Sequence, residues 1–177
     1  MQRPPAIFHT TSQPLRFFGR AVELAVLNQA LAGGSASIIG LVVPGGQGKT
    51  AIVQHWLTST GGLEGLDGLF FWSFYRGQDS DLCLRQLWSY AAGLAPTAFS
   101  GAGVSASYCV DRLLPLLRRE RWAIVLDGAE VVQHETGAWA GRFVHPELGR
   151  LLEELASEPM PGVLVLTTRF ALPTLAR

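Results

Sequence analysis

The chain has no excess of charge of either sign: 14 Lys and Arg stand against 14 Asp and Glu in 177 residues. No overall field therefore draws it to DNA, RNA or an anionic membrane, and any anion it binds must be held locally. Cysteine is scarce. Cys83 and Cys109 could pair, but two cysteines in a chain of this length make no disulfide framework, and reduced thiols in a cytoplasmic protein are expected. His55, His134 and His145 show no metal-ligand spacing, so no metal site built from histidine or cysteine is assigned. No apolar run reaches the ~18 residues of a membrane span. Arg3, Pro4 and Pro5 stand where a signal peptide would need an apolar helix, so no membrane partner is expected. No internal repeat is visible.

What is present is apolar. A hydrophobic content of 48% supports one well-buried core, so a single compact unit is expected. Residues 1–14 are rich in Pro, Thr, Ser and Gln without periodicity and read as a flexible N-terminal arm. The folded domain is expected over 15–177, opening with Leu15, Phe17 and Phe18. Leu24, Leu27 and Leu31 fall at helical spacing before Gly33 and Gly34. Ile38 to Val43 is a short, mostly β-branched run, as a strand buried on both faces should be. Ile52, Val53, Trp56 and Leu57 mark a second helix, which runs out before Gly61 and Gly62. Leu69 to Tyr75 reads as an aromatic-rich strand whose rings belong to the core.

Ser80 or Asp79 can cap a third helix bearing Leu84, Leu87, Trp88 and Ala91, and Pro96 to Ser107 reads as a surface connection. A fourth helix carries Val110, Leu113, Leu114 and Leu117, with Pro115 expected to kink it. Arg118, Arg119 and Arg121 with Glu120 read as its solvated end. Trp122 to Leu126 is a strand closed by Asp127, and Pro146 opens a helix with Leu148, Leu151, Leu152 and Leu155. Val163 to Leu166 is a last strand, followed by Thr167, Thr168 and Arg169. Strands alternating with helices predict an α/β fold in three layers, a parallel sheet with helices on both faces.

Between the first predicted strand and the second helix stands Val43-Pro44-Gly45-Gly46-Gln47-Gly48-Lys49-Thr50. In the loop that Pro44 opens, glycines let the backbone N–H groups of Gly45 through Ala51 turn toward an anion, and the helix N-terminus adds partial positive charge. Lys49 suits the β and γ phosphates of a nucleotide, and the Thr50 hydroxyl suits magnesium. The first glycine of the G-x-x-x-x-G-K-[ST] pattern is replaced by Val43. A β-branched residue at positive φ would be strained by ~1–3 kcal/mol, so Val43 is expected to stay extended, as a residue before proline prefers.

Asp127 at a strand end would face this loop and hold magnesium, or else be a simple turn residue before Gly128. Glu130 is the nearest acid able to orient a water, and reads equally as an exposed glutamate at a helix start. Arg169 suits a γ-phosphate sensor, against a solvated strand-end arginine.

These pieces resemble the nucleotide-binding core of STAND-class signalling ATPases, which include NB-ARC and NACHT proteins. Four segments match in order: Phe17-Phe18-Gly19-Arg20 with Glu23-Leu24; Pro44 to Thr50; Ala123-Ile124-Val125-Leu126-Asp127-Gly128-Ala129-Glu130; and Leu164-Val165-Leu166-Thr167-Thr168-Arg169. The resemblance implies a P-loop NTPase fold, an adenine nucleotide (ATP or ADP) with Mg2+, Arg20 against base and ribose, and Arg169 as sensor. The group often places a second acid directly after the Asp, where this chain has Gly128. It also implies a helical subdomain and winged helix beyond the core, and a further strand beside the loop strand whose lack would leave a free sheet edge open to another chain.

The leading expectation is an ATP/ADP-dependent signalling switch with slow hydrolysis, a weak ATPase, with a homo-oligomer or partner protein in its full-length context. A non-catalytic nucleotide-binding or interaction module is the alternative, motivated by Val43 and Gly128. A small-molecule kinase is disfavoured because no arginine-rich lid is visible.

Overall fold

The structure is a computed structural model, and it describes residues 3–8, 17, 19–33, 36–59, 64–94, 103–173 and 175. Among these residues five strands form one parallel sheet: β1 (Ala6–Phe8), β2 (Ile38–Val42), β3 (Gly68–Ser73), β4 (Trp122–Asp127) and β5 (Val163–Thr168). Their spatial order is β1-β3-β4-β5-β2. The helices are α1 (Ala21–Leu31), α2 (Lys49–Ser59), α3 (Ser80–Ala91), α4 (Ala106–Arg119) and α5 (Pro146–Ser157).

Every residue of β3, β4 and β5 is buried, and the period-two alternation of a strand sends successive side chains into two separate cores. Phe70, Trp72, Ile124, Leu126, Leu164 and Leu166 meet the apolar stripes of α3, α4 and α5. Leu69, Phe71, Ala123, Val125, Val163 and Val165 meet Leu27 and Leu31 of α1 and Ile52, Val53 and Trp56 of α2. Apolar side chains on both faces explain why these strands read as unbroken hydrophobic runs. Each fully buried Leu, Val or Phe contributes about 1.5–3 kcal/mol, so the two cores hold the helices on opposite faces of the sheet.

Local chemistry sets the helix ends. Asp79, the alternative to Ser80, caps α3 by accepting from the Leu82 amide at 3.0 Å. The Ser105 hydroxyl accepts from the Tyr108 amide at 3.2 Å to cap α4. That helix runs through Pro115, whose ring lies on the exposed side where the missing donor disturbs no buried contact. Pro146 opens α5. The second predicted strand, Leu69 to Tyr75, stops at Ser73: the Phe74 amide makes a last rung to the Asp127 carbonyl at 2.8 Å, and the Arg76 and Gly77 amides then fold back on the Ser73 carbonyl at 3.3 and 3.1 Å.

The N-terminal arm needs correcting. Within the stretch read as loose, Ala6–Phe8 pair with β3, Ala6 opposite Phe70 and Phe8 opposite Trp72. Arg3 holds this strand in place: its guanidinium donates to Glu120 at 2.9 Å and lies 5.1 Å over the Trp122 ring. Three residues are too few for alternation to register, and what fixes them lies 64 and 117 positions away. Residues 9–14, Leu15, Phe18, Gly34, Gly61, Gly62 and the 96–102 part of the predicted connection lie outside the described residues.

The expected free edge is present, since β2 ends the sheet and pairs with β5 alone among the described residues. Because all strands run the same way, Val42, Ser73, Asp127 and Thr168 emerge at one edge of the sheet. No helix among the described residues is long and apolar enough to cross a membrane.

The opposite edge is closed by tight packing on Trp122. A Cβ at Gly162 would lie 1.9 Å from the Trp122 carbonyl oxygen and 2.4 Å from its amide nitrogen, both backbone atoms that no rotamer change can move. Gly162→Ala is therefore expected to cost about 3 kcal/mol and to lower Tm by roughly 10 °C. A melt within a degree of wild type would show that the β4–β5 entry is looser than described.

Candidate functional site

The glycine-rich loop leaves β2 through Val43, whose amide still donates to the Thr168 carbonyl at 3.2 Å. Val43 thus extends the ladder and avoids positive φ, as its side chain requires. The turning is done by Gly46 and Gly48, each at φ 76. Pro44 to Gly48 are exposed. The amides of Lys49, Thr50 and Ala51 open α2 and find no backbone acceptor among the described residues, as the first turn of a helix dictates.

Lys49 is the only lysine of the chain. Its stem is buried, and its ammonium curls over the loop to donate to the carbonyls of Val43 at 2.8 Å and Pro44 at 3.2 Å. The charge is therefore held on the loop itself, among the donors with which it would share an anion.

Asp127 ends β4 fully buried. Three hydroxyls from three elements converge on its carboxylate: Thr50 at 2.9 and 3.0 Å, Thr167 at 2.7 Å and Ser73 at 3.3 Å. Thr167 is itself oriented, since it accepts from the Gly128 amide at 2.8 Å. Burial pushes the Asp127 carboxyl above its ordinary pKa, opposed by the three hydroxyl donors. Because Thr50 gives its proton to Asp127, its oxygen lone pairs remain as acceptors for a hard cation.

Gly128 takes φ 73, and a Cβ there would strike the Tyr75 ring at 2.7 Å. An acid at the position after Asp127 would therefore be strained and would have to displace the Tyr75 ring. The chain instead makes a 3-10 turn, Ala129–Val132, which returns Glu130 to the site. The Glu130 side chain is 7% exposed, so it is no solvated helix-start residue. Its Oε1 accepts from the Tyr75 hydroxyl at 2.7 Å and forms an ion pair with Arg169 Nε at 2.8 Å. Burial, with the Glu130 carboxylate next, raises the Tyr75 pKa.

Arg169 is 51% exposed and lies flat against the loop, its Cζ 3.0 Å from where a Gly45 Cβ would stand. Behind it, Thr168 donates to Gln133 Oε1 and Gln133 Nε2 donates to the Gly141 carbonyl, which fixes the exit of β5.

Arg20 reaches the loop from the other side, donating to the Gln47 carbonyl at 3.1 Å and to Glu23 at 2.8 Å from a backbone at φ 63. Phe17 stacks on His55 of α2 at 4.1 Å between ring centroids. The fold thus brings Lys49, Thr50, Asp127, Glu130 and Arg169 to one edge, with Arg20 on the loop's outer flank. Sequence reading missed Ser73 and Tyr75, which it took as the interior and the end of a core strand. The available signal was a hydroxyl at the C-terminal end of a parallel strand, where side chains point to the site rather than into a core.

Among the described residues no cluster of three or more His, Cys, Asp or Glu is assembled. Thr50 and Asp127 are hard oxygen donors that suit magnesium, an ion commonly held by one or two protein oxygens together with phosphates and water. A cavity of about 510 Å³ lies elsewhere, along the free edge of β2, lined by Ile38, Gly40, Val42, Leu155 and Leu172 among others and by no charged group. No family model matches the chain, and no curated protein sequence matches it.

The raised Asp127 pKa has a defined sign. Between the ordinary carboxylate value and the folded one, the folded chain keeps a proton that the unfolded chain has lost, so stability falls as pH rises through that window. In the absence of divalent ions, Asp127→Asn should gain stability relative to wild type as pH climbs above about 4. Urea midpoints of the two proteins that track each other across pH would show the carboxylate to be fully compensated.

Proposed function

We propose that the chain is a P-loop nucleotide-binding core resembling STAND-class ATPases, binding ATP or ADP with magnesium and acting as a switch with slow hydrolysis. The observation that carries this reading is the contact between the Thr50 hydroxyl and the Asp127 carboxylate, 77 positions apart. It brings together the loop hydroxyl and the strand-end carboxylate, the two oxygen donors that P-loop sites use for magnesium. A chance glycine turn has no reason to lay its one threonine on a buried carboxylate.

The residues divide the work as follows. The amides of Gly45 to Ala51 and the Lys49 ammonium receive phosphate oxygens, the ammonium exchanging the carbonyls of Val43 and Pro44 for them. Thr50 and Asp127 hold the magnesium ion, which when bound neutralises charge on the β and γ phosphates. Arg169 lies over Gly45, where a terminal phosphate would be felt. Arg20, on the flank of the loop, is placed for base and ribose. Glu130 is the nearest acid for orienting water, yet its Oε1 is already engaged by Tyr75 and Arg169, which favours slow turnover over fast. The free edge of β2 supports assembly with another copy or a partner protein.

The single lysine makes the reading testable at one atom. Amine methylation should reach Lys49 and the N-terminus alone, and magnesium with ATP or ADP should protect Lys49. Lys49→Ala should weaken binding at least tenfold in calorimetry, roughly the 1.5–3 kcal/mol of a lost charged hydrogen bond. Unprotected labelling together with flat titrations of both nucleotides would end the proposal. Binding without phosphate release would leave a non-catalytic nucleotide-binding module.

A further inference from the structure

Arg169 is bound by one edge only. Its Nε is engaged by Glu130 at 2.8 Å, while its Nη groups have no partner among the described residues, and Nη1 stands 3.3 Å from where a Gly45 Cβ would be. Glu130 in turn is 7% exposed, a burial that a carboxylate tolerates only with donors around it. The Tyr75 hydroxyl donates to it at 2.7 Å, on the same oxygen that pairs with Arg169, and Oε2 has no partner among the described residues. Tyr75 is anchored by its ring, which occupies the space over Gly128 that any side chain there would fill. A line of contact therefore runs from the end of β3, through the turn after β4, to the end of β5.

We propose that Tyr75 and Glu130 are positioning residues that aim the free Nη edge of Arg169 at the loop, so that discrimination of triphosphate from diphosphate depends on two side chains that touch neither nucleotide. A half-exposed arginine at a strand end otherwise samples many rotamers, and fixing it beforehand removes an ordering cost from binding. Glu130 supplies the charge that holds Nε. Tyr75 keeps that carboxylate from swinging away, and its hydroxyl is the more easily tested member because Phe preserves the ring. Sharing one carboxylate oxygen couples the two donors, so their effects on Arg169 are not independent.

This inference rests on the nucleotide reading above, and the experiment separates the two. Equilibrium affinities for ADP and for a non-hydrolysable ATP analogue, with magnesium, are measured for wild type, Tyr75→Phe, Glu130→Gln, Arg169→Ala and the Tyr75→Phe/Arg169→Ala pair. The ratio of ATP-analogue to ADP affinity should fall about tenfold in Glu130→Gln and severalfold in Tyr75→Phe, with ADP affinity unchanged in Tyr75→Phe. The double variant should be no worse than Arg169→Ala alone, a non-additivity that a merely structural tyrosine would not produce. Thermal melts of Tyr75→Phe control for folding. An unchanged ratio in Tyr75→Phe, additive losses in the pair, or tighter analogue binding by Glu130→Gln, which would make Glu130 a competitor for Arg169, each overturns the proposal. A wild type that binds neither nucleotide removes the underlying reading with it.

Discussion

The buried carboxylate of Asp127 is the constraint around which this sheet edge is organised. A charged group withdrawn from water is tolerated only if hydrogen-bond donors surround it. Here the donors come from three places: Thr50 at the start of α2, Thr167 near the end of β5 and Ser73 at the end of β3. The carboxylate therefore ties a helix and two strands, which share no local sequence, to its own strand β4. Its burial keeps it partly at odds with its own charge, and that tension is what a divalent cation would relieve.

The residue after Asp127 shows how backbone geometry redistributes chemistry. Gly128 occupies a left-handed conformation under the Tyr75 ring, so a side chain there would be strained and would displace the ring. The 3-10 turn that follows returns Glu130 to the same neighbourhood, where Tyr75 and Arg169 engage it. An acid two positions later in sequence thus reaches the site through a turn. Its reach is accompanied by commitments to two neighbours that an acid directly after the strand would not have made.

Legibility in the sequence followed the range of the forces involved. The alternating helices and strands were readable because each buries a continuous apolar face, and β3, β4 and β5 are apolar on both sides. The loop from Pro44 to Thr50 and the strand-end Asp127 were readable because glycine, lysine and threonine stand at fixed spacing beside a strand and a helix. Glu130 and Arg169 were nameable as residues, yet their mutual contact was not, since nothing local couples positions on different strands. β1 escaped because its three residues are fixed by Arg3 contacts with Glu120 and Trp122. Tyr75 escaped for a different reason: in a run of aromatics its hydroxyl carries no signal until the strand is seen to stop at Ser73.

The loop-bearing strand β2 is fastened along a single seam, its ladder with β5 from Ile38 opposite Leu164 to Val42 opposite Thr168. Interior strands divide any load between two neighbours, whereas β2, like β1 at the other side of the sheet, has one among the described residues. A displacement of the loop is consequently delivered along β2 to Thr167, Thr168 and Arg169, and through Thr50 as well as Thr167 to Asp127. The sheet edge is in this sense a one-sided hinge, with its stiffness set by five rungs of backbone pairing.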